Sequence, residues 1–316
     1  MTDSPAICVV GSTNMDLVVR VPSLPAPGVT AIAHSMQQVH GGKGANQAVA
    51  AARAGASVRF IGRVGNDWFG ISLRDGLESA GVNCDLLQCT ADEPSGTAIV
   101  AVDDCGENSI VVAPGANGRV TPEDISEAAD VLTSCSLLLL QLEVKLDAVL
   151  QAARIASEAG VTVILDPAPV TREVAADQCF GELLRIADVI CPNETEASVI
   201  TGANVHDVDS ALAAARLLRQ AGPETVIITL GQQGCVLVNH EREIAVPAFP
   251  TQAVDSTAAG DAFAAAFAVC LQKSDNIETA ARWGNAAGSL TAGRMGAQPS
   301  LPVRAEIECL VDAHKC

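Results

Sequence analysis

The chain has 316 residues, of which 49% are hydrophobic, 18% are charged and only 3% are aromatic, with no tyrosine. This length and composition indicate a globular protein with an aliphatic core, and no apolar run is long enough to cross a membrane. The net charge of −18 argues against nucleic acids and anionic membranes as partners, because both recruit basic surfaces.

Short apolar runs alternate with helical patterns along most of the chain. The runs predict buried strands over Ala6–Gly11, Val58–Val64, Leu137–Leu142, Val161–Leu165, Asp188–Cys191, Thr225–Thr229 and Cys235–Val238. Helices are predicted over Phe69–Ala80, Leu146–Ala159, Ser210–Gln220 and Ala258–Leu271. This alternation predicts an α/β fold: a three-layer sandwich with a central, mostly parallel sheet. In such sheets ligands bind beyond the carboxyl ends of the strands.

Two stretches interrupt the alternation. Leu17–Val39 carries three prolines between β-prone pieces, and Thr97–Val102 and Ile110–Ala113 flank a polar loop typical of a hairpin. These pieces cannot bury both faces in a parallel sheet, so we predict a separate small sheet with strands from about residues 16–40 and 95–114. No linker divides the chain, and we predict a single domain over residues 1–316.

The cysteines are eleven in number, scattered, and free of CxxC pairs. An odd count without such pairs argues against a disulfide framework and against a zinc site. We interpret them as reduced thiols, mostly in the core, and expect a cytoplasmic protein.

The segment Asp255–Asp261 places small residues and a carboxylate at the start of a predicted helix. Free backbone N–H groups and the helix dipole make such an end suitable for phosphate. Asp261 would then stand where a phosphoryl group is transferred, and could accept a proton from an attacking hydroxyl. Alone, the segment is equally consistent with a capped helix on a tight turn.

A second motif, His40–Ala48, combines Gly41, Gly42 and Gly44 with Lys43 and Asn46. Glycines let the backbone approach a ligand closely, while the cation and the amide can bind sugar hydroxyls or phosphate. The spacing is not that of a P-loop, and no GxGxxG follows the first strand, which argues against a nicotinamide-dependent dehydrogenase.

Together these two motifs resemble the ribokinase branch of the PfkB carbohydrate kinase family, and six further motifs extend the resemblance over about 300 residues. They are Gly11–Asp16, Gln141–Glu143, Asp166–Pro169, Pro192–Glu196, Thr229–Gly234 and Gly296–Ser300. The resemblance implies the ribokinase-like fold, in which the small sheet is a lid over the sugar and often the contact of a homodimer.

The resemblance also implies roles for the sugar and phosphoryl sites. The sugar-binding residues would be Asn14, Asp16, Gly42, Lys43, Asn46, Ala98, Ile110, Glu143 and Asp261. Asp261 would be the general base, and the backbone of Ala259 and Gly260 would form the anion hole. Simpler interpretations are a turn-forming Asx pair for Asn14 and Asp16, a helix N-cap for Asp261 and sheet packing for Ala98 and Ile110.

For the nucleotide and its ions, the resemblance implies two further groups of residues. ATP with Mg²⁺ would contact Asn193, Glu196, Thr229, Gly231, Gly234, Gly260 and Asn285. A K⁺ site would use Asp255, Thr257, Thr291, Arg294, Gly296 and Ser300, mostly through carbonyl oxygens. The Asn-x-x-Glu spacing is also that of a capping box, and Asp255 can cap its loop without an ion. The chain departs from its relatives at Val29, at His40 and at Asn285, where ribokinases can carry histidine.

The expected reaction is transfer of the γ-phosphoryl of ATP to the 5-hydroxyl of D-ribose, giving ribose 5-phosphate and ADP. A nucleoside acceptor is disfavoured because the chain has few aromatic residues with which to build a slot for its base. The alternatives are a kinase for 2-deoxyribose or another small sugar, and a non-catalytic sugar-sensing protein on the same fold.

Overall fold

The computed structural model describes residues 6–274 and 276–314. This part of the chain contains thirteen strands: β1 (Ile7–Val10), β2 (Asn14–Arg20), β3 (Ser35–Gly41), β4 (Val58–Gly65), β5 (Val82–Thr90), β6 (Gly96–Val102), β7 (Asn108–Ala113), β8 (Leu137–Leu140), β9 (Thr162–Leu165), β10 (Val189–Ile190), β11 (Thr225–Thr229), β12 (Cys235–Val238) and β13 (Glu243–Val246). The predicted bounds of β11 and β12 agree with the structure to the residue.

Helices separate most of the strands. They are α1 (Lys43–Arg53), α2 (Trp68–Ser79), α3 (Pro122–Glu127), α4 (Ala129–Thr133), α5 (Leu146–Glu158), α6 (Arg172–Ala175), α7 (Gln178–Ile186), α8 (Glu194–Thr201), α9 (Val208–Gln220), α10 (Ala259–Lys273), α11 (Ile277–Ala292) and α12 (Arg304–Ala313). Within the described ranges, no helix is both long and apolar enough to traverse a bilayer.

The large sheet has nine strands in the order β13-β12-β11-β10-β9-β8-β1-β4-β5. All neighbouring pairs are parallel except β11–β12 and β12–β13, which are antiparallel. The prediction of a mostly parallel central sheet is therefore confirmed. The carboxyl ends of the parallel strands meet at one edge, where this topology places ligands.

The core lies in two layers, one on each face of the large sheet. In β1, Ile7 and Val9 join a cluster with residues of α1, α10 and α11, whereas Cys8 and Val10 join a cluster with α5 and α9. Because successive side chains of a strand point to opposite faces, one buried strand supplies both layers. Helix, sheet and helix thus form the predicted three-layer sandwich.

The small sheet is separate and has four strands in the order β3-β2-β6-β7. β2 pairs with β3 antiparallel and with β6 parallel, and β6 and β7 form the predicted hairpin. β2 begins only four residues after the end of β1. The small sheet therefore lies next to the edge of the large sheet that contains the carboxyl ends of the parallel strands.

Candidate active site

The Asp261 carboxylate lies in the first turn of α10 and is only 5% exposed. Its Oδ2 accepts a hydrogen bond from Asn46 Nδ2 at 2.9 Å, and its Oδ1 accepts one from Gln47 Nε2 at 3.2 Å. Both donors lie in α1, whose first residues belong to the glycine-rich motif. The two motifs singled out in the sequence are thus in direct contact, more than 200 residues apart in the chain.

Gln47 is held by two further polar side chains at the same edge of the sheet. Its Nε2 also donates to Asp166 Oδ2 at 2.8 Å, and its Oε1 accepts from Gln141 Nε2 at 2.5 Å. Asp166 directly follows β9, and Gln141 directly follows β8. The role of Gln47 was missed from the sequence, although all three residues lie within motifs that carry the family resemblance.

Lys43 stands among four acidic side chains at the start of α1. Burial opposes its positive charge, but Asp261, Asp166, Glu143 and Glu196 outweigh burial and raise the pKa of the ammonium group above its usual value. Lys43 is therefore a permanent cation at neutral pH. A fixed positive charge beside a buried carboxylate is suited to holding a phosphoryl group that carries negative charge.

The carboxylates around Lys43 are themselves perturbed. Burial raises the pKa of Asp261, against the opposing effect of Lys43 and of its amide hydrogen bonds. Burial, Glu143 and Asp261 together raise the pKa of Asp16 from 3.8 to about 7. A carboxylate whose pKa is raised in this way is a better proton acceptor, and such groups cluster where chemistry occurs.

Glu143 connects the second motif with the loop after β1. Its Oε2 accepts from Ser12 Oγ at 2.5 Å and from the backbone N–H of Lys43 at 3.0 Å. Gly42, the residue before Lys43, has a φ of 86°. A Cβ atom at this position would stand 2.8 Å from the backbone nitrogen of Asn14. Glycine is thus required at position 42 for both conformation and space.

Asn14 and Asp16 lie two residues apart in β2 and therefore on one face of the small sheet. The Asp16 carboxylate occupies the space beside Gly41, into which any side chain at position 41 would project. On the other flank of β2, Ala98 is the register partner of Asp16. Polar groups of β2 and an apolar residue of β6 thus line one surface.

The register separates the two predicted apolar contacts. Ala98 pairs with Val112, whereas Ile110 pairs with Val100, two residues further along β6. Ala98 is buried, but Ile110 is 56% exposed. The structure therefore brings Ala98 beside Asp16 and leaves Ile110 in the outer part of the sheet.

A cleft of about 730 Å³ opens at the start of α10. Seven residues predicted to contact nucleotide or phosphate line it: Asn193, Thr229, Gly231, Gly234, Ala259, Gly260 and Asn285. The volume is in the range of small-molecule sites. Ala258, immediately before α10, has a φ of 60°, an unusual conformation for a residue with a side chain. Backbone strain of this kind clusters at functional sites.

Three of the predicted nucleotide residues have structural partners. Asn193 and Glu196 form a capping box at the start of α8, with reciprocal hydrogen bonds of 2.9 Å. Asn285 Nδ2 donates to the carbonyl oxygens of Val246 and Pro247, which tethers the segment after β13 to α11. The capping interpretation of the Asn-x-x-Glu motif is thus correct locally, and Asn193 nevertheless lines the cleft.

The residues predicted to bind a monovalent cation gather behind the start of α10. Asp255 accepts from the backbone N–H and hydroxyl of Thr257 and from the backbone N–H of Gly296. Arg294 bonds the Thr291 carbonyl through its backbone N–H and the Ser300 carbonyl through its guanidinium. These hydrogen bonds join the loop before α10 to the segment after α11.

A model of the pfkB family of carbohydrate kinases matches residues 4–304. This chain belongs to that family. A ribokinase from Haemophilus influenzae is 39% identical over 300 residues, covering 95% of this chain and 96% of that protein. A deoxyribokinase from Salmonella typhi is 37% identical over 296 residues, covering 94% and 95%.

The chain also matches part of a longer relative. A bifunctional ribokinase/ribose-5-phosphate isomerase A from Fructilactobacillus sanfranciscensis is 41% identical over 303 residues; the match covers 95% of this chain and 55% of that protein. Among solved structures, Arabidopsis thaliana ribokinase complexed with ribose and ATP superimposes with a TM-score of 0.90 at 34% identity, covering 98% of this chain and 99% of that one. This pfkB family member is thus a sugar kinase of the ribokinase type.

Proposed function

We propose that this chain transfers the γ-phosphoryl group of ATP to the 5-hydroxyl of D-ribose, giving ribose 5-phosphate and ADP. The main support is the position of Asp261, which touches the sugar-side motif through Asn46 and lies one residue after Gly260 at the wall of the large cleft. A sugar in the polar pocket and a nucleotide in the cleft would meet at this carboxylate.

The polar pocket suits a small polyhydroxylated acceptor. Asn14, Asp16, Lys43, Asn46 and Glu143 combine amides, carboxylates and a cation, which can each bind a sugar hydroxyl. Asn46 Oδ1 is buried and has no hydrogen-bond partner among the described residues. An unpaired buried acceptor is costly, so its pairing with a sugar hydroxyl would be favourable. We propose that Gly42 gives the sugar close access, and that Ala98 and Ile110 cover its ring.

Asp261 is the proposed general base. The 5-hydroxyl would donate its proton to the carboxylate as the phosphoryl group arrives. Burial raises the pKa of Asp261 and so increases its basicity, while Lys43, Asn46 and Gln47 favour the ionised form that accepts the proton. The net effect raises the pKa of Asp261, so the carboxylate is a stronger proton acceptor than an ordinary aspartate.

The backbone N–H groups of Ala259 and Gly260 form the proposed anion hole. They lie in the first turn of α10, where N–H groups have no intrahelical partner. Together with the positive end of the helix dipole, they would stabilise the charge on the oxygens of the transferred group. Asn193, Thr229, Gly231, Gly234 and Asn285 would hold the rest of the nucleotide.

Mg²⁺ is the proposed companion of ATP. No described group of three or more His, Cys, Asp or Glu side chains has the arrangement of a metal site. We propose that the metal is held mainly by phosphate oxygens, with Glu196 and Asn193 acting through its water ligands. When bound, Mg²⁺ would neutralise part of the phosphate charge.

We also propose a K⁺ site at Asp255, Thr257, Thr291, Arg294, Gly296 and Ser300. A large monovalent cation prefers several oxygen ligands, and carbonyl oxygens can replace its hydration shell. Thr291 Oγ1 is a buried oxygen without a partner among the described residues, so the oxygen set suits such an ion. The ion would order the loop that leads into the anion hole.

The small sheet is the proposed lid and the contact of a homodimer. Met36, Ile99 and Val111 are each at least half exposed and lie on the sheet face opposite Asp16. Contact with a second copy would remove their apolar surface from water. The face that bears Asp16 would remain turned to the sugar.

The acceptor is tested by initial rates on D-ribose, 2-deoxy-D-ribose, fructose and adenosine at fixed ATP. We expect the highest kcat/KM with ribose. The alternative is a kinase for 2-deoxyribose or another small sugar. The similarity to a deoxyribokinase favours 2-deoxyribose among these alternatives. Negligible ribose turnover beside rapid use of another acceptor would refute the ribose proposal.

A further inference from the structure

Asn117 is a buried amide next to the proposed sugar pocket to which the sequence assigned no role. It lies in a short 3-10 helix, Gly115–Arg119, and is only 1% exposed. Its Oδ1 accepts from the Thr13 N–H at 3.0 Å, and its Nδ2 donates to the Thr13 carbonyl at 3.2 Å and to Asn14 Oδ1 at 2.7 Å. Asn117 thus joins the segment after β7 to the segment before β2.

The directions of these hydrogen bonds determine the orientation of both side-chain amides, that of Asn117 and that of Asn14. A backbone N–H can only donate, so the Asn117 atom that faces the Thr13 nitrogen must be the oxygen. The Asn117 atom that faces the Thr13 carbonyl and Asn14 must then be the nitrogen, which can only donate. The Asn14 atom that receives this bond is therefore Oδ1, and Asn14 Nδ2 is left for another partner.

Gly96 provides the space that this arrangement needs. A Cβ atom at position 96 would collide with both Asn117 Nδ2 and Asn14 Oδ1. Gly96 is also the register partner of Asn14, where β6 begins beside β2. The amide pair is therefore enclosed at the base of the small sheet, and Asn14 itself is only 3% exposed.

The free nitrogen of Asn14 lies on the same face of β2 as the Asp16 carboxylate. No described residue accepts a hydrogen bond from it. One donor and one acceptor, two residues apart in a strand, are matched to neighbouring hydroxyl groups, since a hydroxyl can accept one hydrogen bond while it donates another.

We propose that Asn117 is a positioning residue for sugar specificity: it orients the Asn14 amide so that Nδ2, and not Oδ1, faces the 2- and 3-hydroxyls of the acceptor. The proposal rests on the proposed function, because it takes ribose as the sugar. If the amide were reversed, a hydroxyl that donates to Asp16 would meet a second acceptor. The pocket would then lose one hydrogen bond and gain a repulsive contact.

The test is the variant Asn117→Asp, assayed at pH 8 to favour ionisation of the introduced carboxyl group. One carboxylate oxygen can still accept from the Thr13 N–H. The other now faces the Thr13 carbonyl, which cannot donate, and Asn14, whose amide must reverse to donate. We expect kcat/KM for ribose to fall about tenfold, mainly through KM, with little change in KM for ATP. Asn204→Asp, at an exposed position between α8 and α9, is the charge-matched control and should match the wild type.

A panel of ribose, 2-deoxyribose and 3-deoxyribose separates positioning from general damage. The penalty of Asn117→Asp should be large for ribose and shrink to less than about twofold for the deoxy sugar that lacks the hydroxyl bound by Asn14. An equal penalty on all three sugars, or no penalty on any, would overturn the proposal. Thermal unfolding of each variant reports whether the fold is retained.

Asn14→Asp provides a second route if Asn117→Asp does not fold. An aspartate at position 14 still accepts from Asn117, but presents an oxygen where the wild type presents a donor. We expect the same sugar-dependent penalty, and a penalty equal on all three sugars would again overturn the proposal. Failure of the wild type to phosphorylate ribose would instead refute the proposed function, so the two failures are distinguishable.

Discussion

The amide of Asn46 donates a hydrogen bond of 2.9 Å to the carboxylate of Asp261, across 215 residues of chain. The contact joins the first turn of α1 to the first turn of α10, and thereby the glycine-rich motif His40–Ala48 to the segment Asp255–Asp261. Because Gln47 holds the other oxygen, the carboxylate is fixed before a sugar arrives. A base fixed in advance does not have to be reoriented during the reaction.

Asp261→Asn should abolish most turnover while leaving sugar binding largely intact. An amide has nearly the same shape but cannot accept the hydroxyl proton, so we expect kcat to fall by roughly 10²–10⁴-fold. Steady-state rates give kcat, and calorimetry gives the ribose affinity. A variant that retains near-normal kcat would show that Asp261 is not the base, and loss of ribose binding would point to a structural role.

Gln47→Ala should shift the pH dependence of turnover. The Gln47 hydrogen bond favours the ionised form of Asp261 and lowers its pKa. Without this bond the pKa of Asp261 rises, so the loss of kcat on acidification should begin at a higher pH than in the wild type. Gln220→Ala, at the exposed end of α9, is the matched control. An unchanged acidic limb in the Gln47 variant would contradict a positioning role.

The pKa of about 7 at Asp16 predicts a sugar affinity that depends on pH in the neutral range. The ionised carboxylate is an acceptor for two hydroxyls, whereas the protonated acid also carries a competing donor. The KM for ribose should therefore rise as the pH falls below 7, by roughly tenfold per pH unit at most. Asp16→Asn should bind ribose more weakly and remove this dependence. A flat profile in the wild type would exclude Asp16 as the titrating group.

The same group predicts an effect on stability. The pKa of Asp16 is raised above its unfolded value of 3.8, so the stability it contributes is present at low pH and lost as the pH rises through about 7. Asp16→Asn cannot ionise, and its melting temperature should exceed that of the wild type by a margin that grows between pH 5 and pH 8. Thermal unfolding without ligand at several pH values measures this margin. A margin independent of pH would contradict the prediction.

Replacing K⁺ by Na⁺ at fixed ionic strength should lower kcat. A smaller ion would fit the proposed site around Asp255 less well, and the loop before α10 would be less ordered. Asp255→Ala should have low activity that no longer differs between the two salts. Equal rates of the wild type in K⁺ and Na⁺ would remove the cation site from the proposal.

The sequence was sufficient for the fold class because buried parallel strands are continuous apolar runs between helices. β5 was missed because it alternates buried Val82 and Cys84 with exposed Asn83 and Asp85, as an edge strand covered on one face does. α11 was missed because small residues run along it, so that its apolar period is weak. Neither β5 nor α11 has a continuous apolar run or a strongly amphipathic pattern, the two signals from which strands and helices were predicted.

The candidate site was predictable where a motif carried its residues together. Asn46 and Asp261 were singled out in this way, and the structure brings them into contact. Gln47 and Asn117 were not found, because their interactions are hydrogen bonds to other side chains that are distant in the chain. No spacing in the sequence encodes such a contact, and only the folded chain brings the partners together.

Gly260→Ala tests the anion hole without disturbing the fold. A Cβ atom at position 260 would meet no other atom within 4 Å, because this position faces the cleft. Alanine is also a better helix former than glycine, so the melting temperature should be equal or higher. The added methyl group would nevertheless occupy the space of the phosphoryl oxygens, and we expect kcat/KM for ATP to fall more than about tenfold. Gly181→Ala in α7, which also has open space around its Cβ position, is the matched control and should retain full activity. If both variants were equally active, the start of α10 would not be the phosphoryl site.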